Sequence, residues 1–473
     1  MKFISKVANY GFGAVFLFGI ICASIKIYSV CSNRTSLAFL AVAFLISFAL
    51  LICYGLKKSE IYFKRNDELC HKMLVLLPAI LLLFQMVFVI CFDFIPKNDL
   101  SYICNAAENY VKYGIESLYN GLPERHQHYF EVYPNNHMLF WVIAGLYKIS
   151  YSLFGEISNL LPTLINVLAL DIAYIFMLKT AKMIYEPSRA AVCGIRGLMF
   201  TPIVTYSTFF YTDSLAMPFV SVAIYVYFRC RREEKLSCQM TLTAVCGIVL
   251  AIGYKIKGSL IILLIAILID IIIRKGGIKV AVAKIGTIFG SFCVVVVLLN
   301  ILLTNTLKIS KEEKNMYEFP RIHWVMMSAD GYGGYNTEDF YYTKSFEGYE
   351  NKISADVDRL SEKLEKQGVI GFTVHTLKKI GYTWSNGTYM VPYYNENSKF
   401  LNSIPFIAIT TVFHFSLLFK ILLGFYEKRK DKNDVLSESF VLKICLIGLF
   451  GFLLIWETRC RYLVSFFALF ALI

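Results

Sequence analysis

Residues 137–154 read HMLFWVIAGLYKISYSLF, and the side of the membrane on which every later segment lies depends on whether this stretch crosses or lies flat. Crossing takes about 20 apolar residues at a rise of 1.5 Å each, so its length alone allows either. Charge decides between the two. With the stretch on the surface, the basic groups of 57–72, Lys179, Lys182, Arg189, Arg196, those of 229–235 and 274–284, and those of 425–443 all face one side. If it crossed, the groups from 179 onward, the larger share, would move to the opposite side, against the tendency of Lys and Arg to stay cytoplasmic. The stretch is therefore read as a juxtamembrane helix, with Lys148 and Tyr151 toward the headgroups.

The composition agrees that lipid is the solvent. Of 473 residues, 57% are apolar and 17% charged, whereas a soluble domain has about 45–50% and about 25%. A soluble enzyme, a disordered chain and a nucleic-acid-binding module are excluded. Apolar runs predict spans at about 9–30, 36–56, 73–94, 157–178, 190–210, 214–229, 238–254, 258–273, 280–304, 401–424, 439–456 and 462–473. The first run is too long for a signal-peptide core and is followed by another span rather than a small-residue cleavage site, so no cleavable signal is expected; the charge bias, with Lys2 and Lys6 inside, puts the N-terminus in the cytoplasm. The net charge of +13 then records loop bias more than partner preference.

The expected fold is an all-α polytopic membrane protein of about 12 transmembrane helices, with one juxtamembrane helix and two large outer loops. Residues 1–304 form a transmembrane domain with a first outer loop at 95–156, residues 305–400 an outer cap, and 401–473 the C-terminal spans. The loops are rich in Tyr, Phe and Gly and lack charge blocks, so they are expected to pack. Within the cap, 353–367 places Ile353, Val357, Leu360 and Leu364 on one helical face, and Asp356 and Asp358 on the solvated side. Cys104 and Cys460 both face outside; they either meet or are buried singly as small apolar residues. Asp171 and Arg196 lie at matching depth on neighbouring spans, which predicts a buried ion pair.

Several residues can carry chemistry. Asp99, at the mouth of the first loop, is either a helix N-cap or a carboxylate placed to take a proton from an incoming hydroxyl. Glu124, His126 and His128 have donor types and spacing that can hold a divalent metal, although loop histidines also serve as plain hydrogen-bonding groups. Asp213, in Thr212-Asp213-Ser214 at a span junction, is a cap, a ligand, or both. Lys255, Lys257, Arg459 and Arg461 are positive groups on the side where few are expected, which suits either headgroup anchoring or a lipid-borne phosphate. Gly331-Tyr332-Gly333-Gly334 looks like a nucleotide loop but lacks the strand-to-helix setting such loops need. No Walker loop, nucleophile elbow or HExxH is present, so ATPase and hydrolase readings lack support.

In order and sidedness, KNDLSY (97–102), YFEVYPNNH (129–137), TDSLAMP (212–218), HWVMMSADGYGGYNTEDF (323–340), TWSNGTY (383–389) and ETRCRY (457–462) resemble the GT-C superfamily of membrane glycosyltransferases. The nearest likeness is to the bacterial family 39 type, related to protein O-mannosyltransferases and aminoarabinose transferases. The resemblance implies inverting transfer of a sugar from a polyprenyl-phosphate carrier to an acceptor hydroxyl on the outer face of the cell membrane. It implies Asp99 as general base and Asp213 as the second acidic residue. Lys255, Lys257, Arg459 and Arg461 would meet the carrier phosphate, Tyr133 and Asn135 would line the substrate site, and His323, Asn336, Asp339 and Trp384 would belong to the loop closing over the sugar. The chain departs from the family at Asn159-Leu160-Leu161-Pro162, where relatives often carry Arg-Leu-Pro, and at Asn98-Asp99, where an acidic pair is usual. The acceptor (protein, cell-wall polymer or lipid) stays open. So do two other functions, a transporter or flippase of a lipid-linked sugar and a polysaccharide polymerase or ligase.

Overall fold

The computed structural model describes residues 35–93, 95–123, 126–274, 277–426 and 438–473. Among them the regular structure is helical throughout. Chain order runs through α1 (Thr35–Lys64), α2 (Asp67–Cys91), α3 (Asp99–Tyr113), α4 (His137–Phe154), α5 (Leu160–Ile184), α6 (Pro187–Met199), α7 (Thr212–Arg232) and α8 (Leu236–Ile256). It continues through α9 (Ile261–Ile273), α10 (Ile278–Thr306), α11 (Arg321–Met327), α12 (Thr337–Lys344), α13 (Tyr349–Trp384), α14 (Ile404–Tyr426) and α15 (Phe440–Ile455), and closes with α16 (Phe467–Leu472). The predicted span at 9–30 lies outside the described residues.

Five described helices have the length and apolarity to cross a membrane: Asp67–Cys91, Leu160–Ile184, Leu236–Ile256, Ile278–Thr306 and Ile404–Gly424. Others are shorter than the apolar runs suggest. The predicted span at 190–210 is broken, because α6 stops at Met199 and Pro202 opens a separate turn at Pro202–Thr205; proline cannot continue the preceding hydrogen-bond ladder. Helix α9 runs Ile261–Ile273, which at 1.5 Å per residue is about 20 Å, short of the roughly 30 Å hydrocarbon layer.

Helix α7 is the hub, packing on α5 and α8, while α8 packs on α10 and α14 on α1. The segment 457–473 threads into this bundle and is buried almost throughout. Residues 137–154 form one unbroken helix that lays Leu139, Phe140, Ile143 and Tyr147 against the bundle and packs along α3, with Gly155 at φ 75° closing its C-terminus. A left-handed residue there costs glycine nothing. The expected Asp171–Arg196 pair is not made: Arg196 donates to Cys193 Sγ at 2.9 Å, and Asp171 Oδ1 has no partner. Matching depth did not bring the two side chains to one face.

The segment 305–400 builds a small cap from α11, α12 and the first half of α13. Phe319 and Phe340 form a small apolar cluster there with Val132 of the first loop, and buried charge adds to it. Asp339, fully buried, accepts from Arg359 Nε at 2.7 Å and Lys363 Nζ at 2.6 Å. The expected face of α13 holds only in part: Asp358 is exposed and Ile353 and Leu360 are half-buried as that face requires, but three residues depart from it. Val357 and Leu364 are 43% and 39% exposed, whereas Lys352, Ala355 and Asp356 are buried. Asp356, expected in solvent, accepts from Thr343 Oγ1 at 2.5 Å, and burial pushes its carboxyl up to about 6. At Gly368 (φ 60°, ψ −175°) α13 kinks, and its second half descends until Trp384 packs on Phe450 and Phe470.

Candidate functional site

The first turn of α7 carries Tyr211-Thr212-Asp213-Ser214. The Tyr211 backbone N–H donates to Ser214 Oγ at 3.3 Å, which frees the Asp213 carboxylate from capping duty. It is fully buried, and it accepts from Lys257 Nζ and from Arg461 Nη1, the latter at 2.6 Å. Its backbone carbonyl accepts from Ser465 Oγ at 3.0 Å. One carboxylate thus ties together the starts of α7 and of the C-terminal segment with the end of α8, where Lys257 is the C-cap.

Aromatic rings wall these cations. The Arg461 guanidinium lies 4.8 Å from the Tyr211 ring and 5.2 Å from the Tyr462 ring, and the Lys257 ammonium lies 4.7 Å from Tyr462. Such placement favours a cation by the ring quadrupole. Arg459 Nε donates to Glu457 Oε1 at 3.1 Å, and the Tyr462 hydroxyl donates to Glu457 Oε2. Lys257, Arg459 and Arg461 therefore stand against Asp213 and Glu457, with Asp99 beyond the Tyr211 ring, and Arg461 Nε has no partner. A fixed guanidinium with an open donor is suited to an anion.

Asp99 opens α3 after Asn98, whose φ of 51° turns the chain sharply. The Asn98 side chain makes no cap bond and donates instead to the Tyr393 hydroxyl at 3.1 Å. The half-buried Asp99 carboxylate has its Oδ2 3.5 Å from the Tyr211 hydroxyl. Burial raises its carboxyl above the usual range, while Arg461, Arg459 and the Tyr129 hydroxyl pull it back down. A carboxylate held basic beside cations is what proton abstraction needs. Burial likewise pulls Lys257 down, opposed by Asp213.

Asp99, Asp213, Lys257, Arg459 and Arg461 thus come together. Tyr133 joins them from the side, its ring 5.0 Å from Tyr129 and 6.0 Å from Trp324 of α11. Other candidates go elsewhere. Lys255 turns away to donate to Asn300 Oδ1 at 2.6 Å. Asn135 is exposed and donates to Asn136 Oδ1 at 3.2 Å. His323, fully buried, meets Thr343 Oγ1 through Nδ1 at 2.7 Å, and burial lowers its imidazole to about 3. Asn336 caps α12 by accepting from Glu338 and Asp339 backbone N–H groups. With Asp339 these residues hold the cap's own interior, and Trp384 sits in the bundle.

Of the metal candidates, Glu124 lies outside the described residues. His126 stacks on Tyr102 at 3.7 Å and His128 on Tyr317 at 3.8 Å, so the two rings face different partners. Among the described residues no three His, Cys, Asp or Glu side chains converge. Cys104 and Cys460 are both buried, and no disulfide joins them. The Gly331–Gly334 loop is a docking element: the Gly333 carbonyl accepts from the Thr458 N–H at 2.8 Å. Gly333 has φ 73°, and a Cβ there would sit 2.6 Å from Lys379 Cδ, so only glycine fits.

The site also uses Tyr211, Tyr129 and Tyr462, which the sequence does not mark individually, and Glu457, which the sequence places on the same face as Arg459 and Arg461. The signal for Tyr211 and Tyr462 was adjacency, since Tyr211 precedes the TDS motif and Tyr462 closes ETRCRY.

A family model described as a conserved hypothetical integral membrane protein matches residues 1–403. The chain belongs to that family. Its members are integral membrane proteins by that description, in accord with the five long apolar helices described above. No curated protein matches the chain.

Proposed function

We propose that this integral membrane protein transfers a sugar from a polyprenyl-phosphate carrier to an acceptor hydroxyl, as its resemblance to GT-C glycosyltransferases implies. The observation that carries this reading is the juxtaposition of a burial-raised carboxylate, Asp99, with the aromatic-walled cations Arg461 and Lys257 across Tyr211. Asp99 takes the proton of the acceptor hydroxyl as its oxygen attacks the anomeric carbon. The bond from that carbon to the phosphate oxygen breaks, and the polyprenyl phosphate leaves with the electron pair. Charge grows on the departing phosphate, and cations fixed in place stabilise it without reorganising. Asp213 holds Lys257 and Arg461 in position.

The test uses purified protein with radiolabelled polyprenyl-phosphate sugars and a panel of hydroxyl acceptors. Label should pass from the lipid phase to acceptor with the wild type and fail to pass with Asp99→Asn. Label that crosses proteoliposome bilayers while still lipid-linked would overturn the enzymatic reading in favour of a carrier.

A further inference from the structure

At the other end of α7, about 27 Å from Asp213 at 1.5 Å per residue, a cleft opens between α7, α8, α9 and α10. Arg231, Arg274 and Lys284 line it, together with apolar residues that include Val280 and Ile288. Arg274 Nε is held by Asp270 Oδ2 at 2.7 Å, and Asp270 also accepts from the Tyr227 hydroxyl at 2.5 Å. Arg231, 13% exposed, reaches Glu438 Oε2 at 2.8 Å, but Glu438 is 44% exposed, and solvent at that carboxylate screens the pair. Lys284 makes no ion pair or hydrogen bond among the described residues. Among the described residues, three cations against two carboxylates, one of them at the rim, leave the cleft positive.

Its walls say what kind of anion fits. Next to the lining residues Cys246 and Ile288, α8 and α10 touch at Gly247, where a Cβ would lie 2.5 Å from the Ile288 carbonyl oxygen. The outer face of α10 is apolar and open, with Val282 62% and Phe289 53% exposed, so it borders hydrocarbon. A cleft that is cationic at its mouth and apolar along its wall suits a phosphate group tethered to an acyl chain better than a free ion.

We propose that this cleft binds the headgroup of an anionic phospholipid, with Lys284 and Arg231 on the phosphate and the acyl chain along the Val280–Ile288 wall of α10. The site is independent of the sugar-transfer reading. The test adds dioleoylphosphatidylglycerol, dioleoylphosphatidylcholine or inorganic phosphate to delipidated full-length protein in detergent, read by native mass spectrometry and by the melting temperature. The anionic lipid should be retained and should raise the melting temperature, and the other two should not. Lys284→Gln should weaken its binding about fivefold, the effect of one cation at an anionic surface, and adding Arg231→Gln should weaken it further. Lys279→Gln, on the exposed flank of the same helix, should change nothing. Equal retention of both lipids, a response to phosphate alone, or a double variant that binds like Lys279→Gln would overturn the proposal. Melting of each variant without lipid separates lost binding from lost folding.

Discussion

Asp99 is a partly buried acid whose basicity is set by opposed neighbours, and this gives it a pH signature. Only its ionised form accepts a proton, so transfer should fall as pH drops through its raised value, above the roughly 3.9 of a free aspartate. The Tyr129 hydroxyl favours the ionised form. Tyr129→Phe should therefore move the acid limb of the kcat/KM profile to higher pH; an unmoved limb would assign that limb to another group. Asp213 makes a different prediction. Removing it leaves Lys257 and Arg461 buried without their carboxylate, a change that costs about 3–5 kcal/mol when one partner of a buried pair is lost. Asp213→Ala should melt far lower than the wild type, and adding Lys257→Met should recover part of the loss. A double variant no better than the single would refute the shared neutralisation.

Helix α13 shows how an element's period can be legible while its orientation is only partly so. The apolar spacing over 353–367 correctly marks a helix, but the predicted face packs inward only in part. Asp339 with Arg359 and Lys363, and Asp356 with Thr343, draw charged residues inward as well. The kink at Gly368 sits where backbone conformation is essentially glycine-only, at a cost of about 1–3 kcal/mol for other residues. Gly368→Ala should lower the melting temperature or straighten the helix, while Gly371→Ala in the following turn, free of positive φ and meeting only the Gln367 side chain, its Cβ at 3.2 Å, should cost clearly less. Equal effects of the two would mean that the kink bears no strain. Helix α6 teaches a similar lesson, because hydropathy averages over Pro202 while the hydrogen-bond ladder cannot.

For the whole molecule, the distribution of basic residues predicts sidedness. In a cysteine-free background, a single Glu350→Cys in the cap should react with an impermeant maleimide on intact cells. Cys238, exposed near the start of α8 and restored alone in the same background, should react only after permeabilisation; the reverse pattern would turn the protein over. Composition and apolar run length sufficed to establish a helical membrane protein, because burying backbone in lipid leaves few alternatives. Local motifs also marked Asp99, Asp213, Lys257, Arg459 and Arg461 as notable, since a charge beside an apolar run needs a reason. Tertiary structure alone decided which of these meet. Lys255 and Lys257 are two residues apart, yet one faces Asn300 and the other Asp213, because α8 ends at Ile256 between them. It alone denied Asp171 its expected partner and placed Tyr211 between the acid and the cations. The reason is physical: spacing along a chain fixes neighbours within an element, whereas contacts between elements follow from packing that no local pattern encodes.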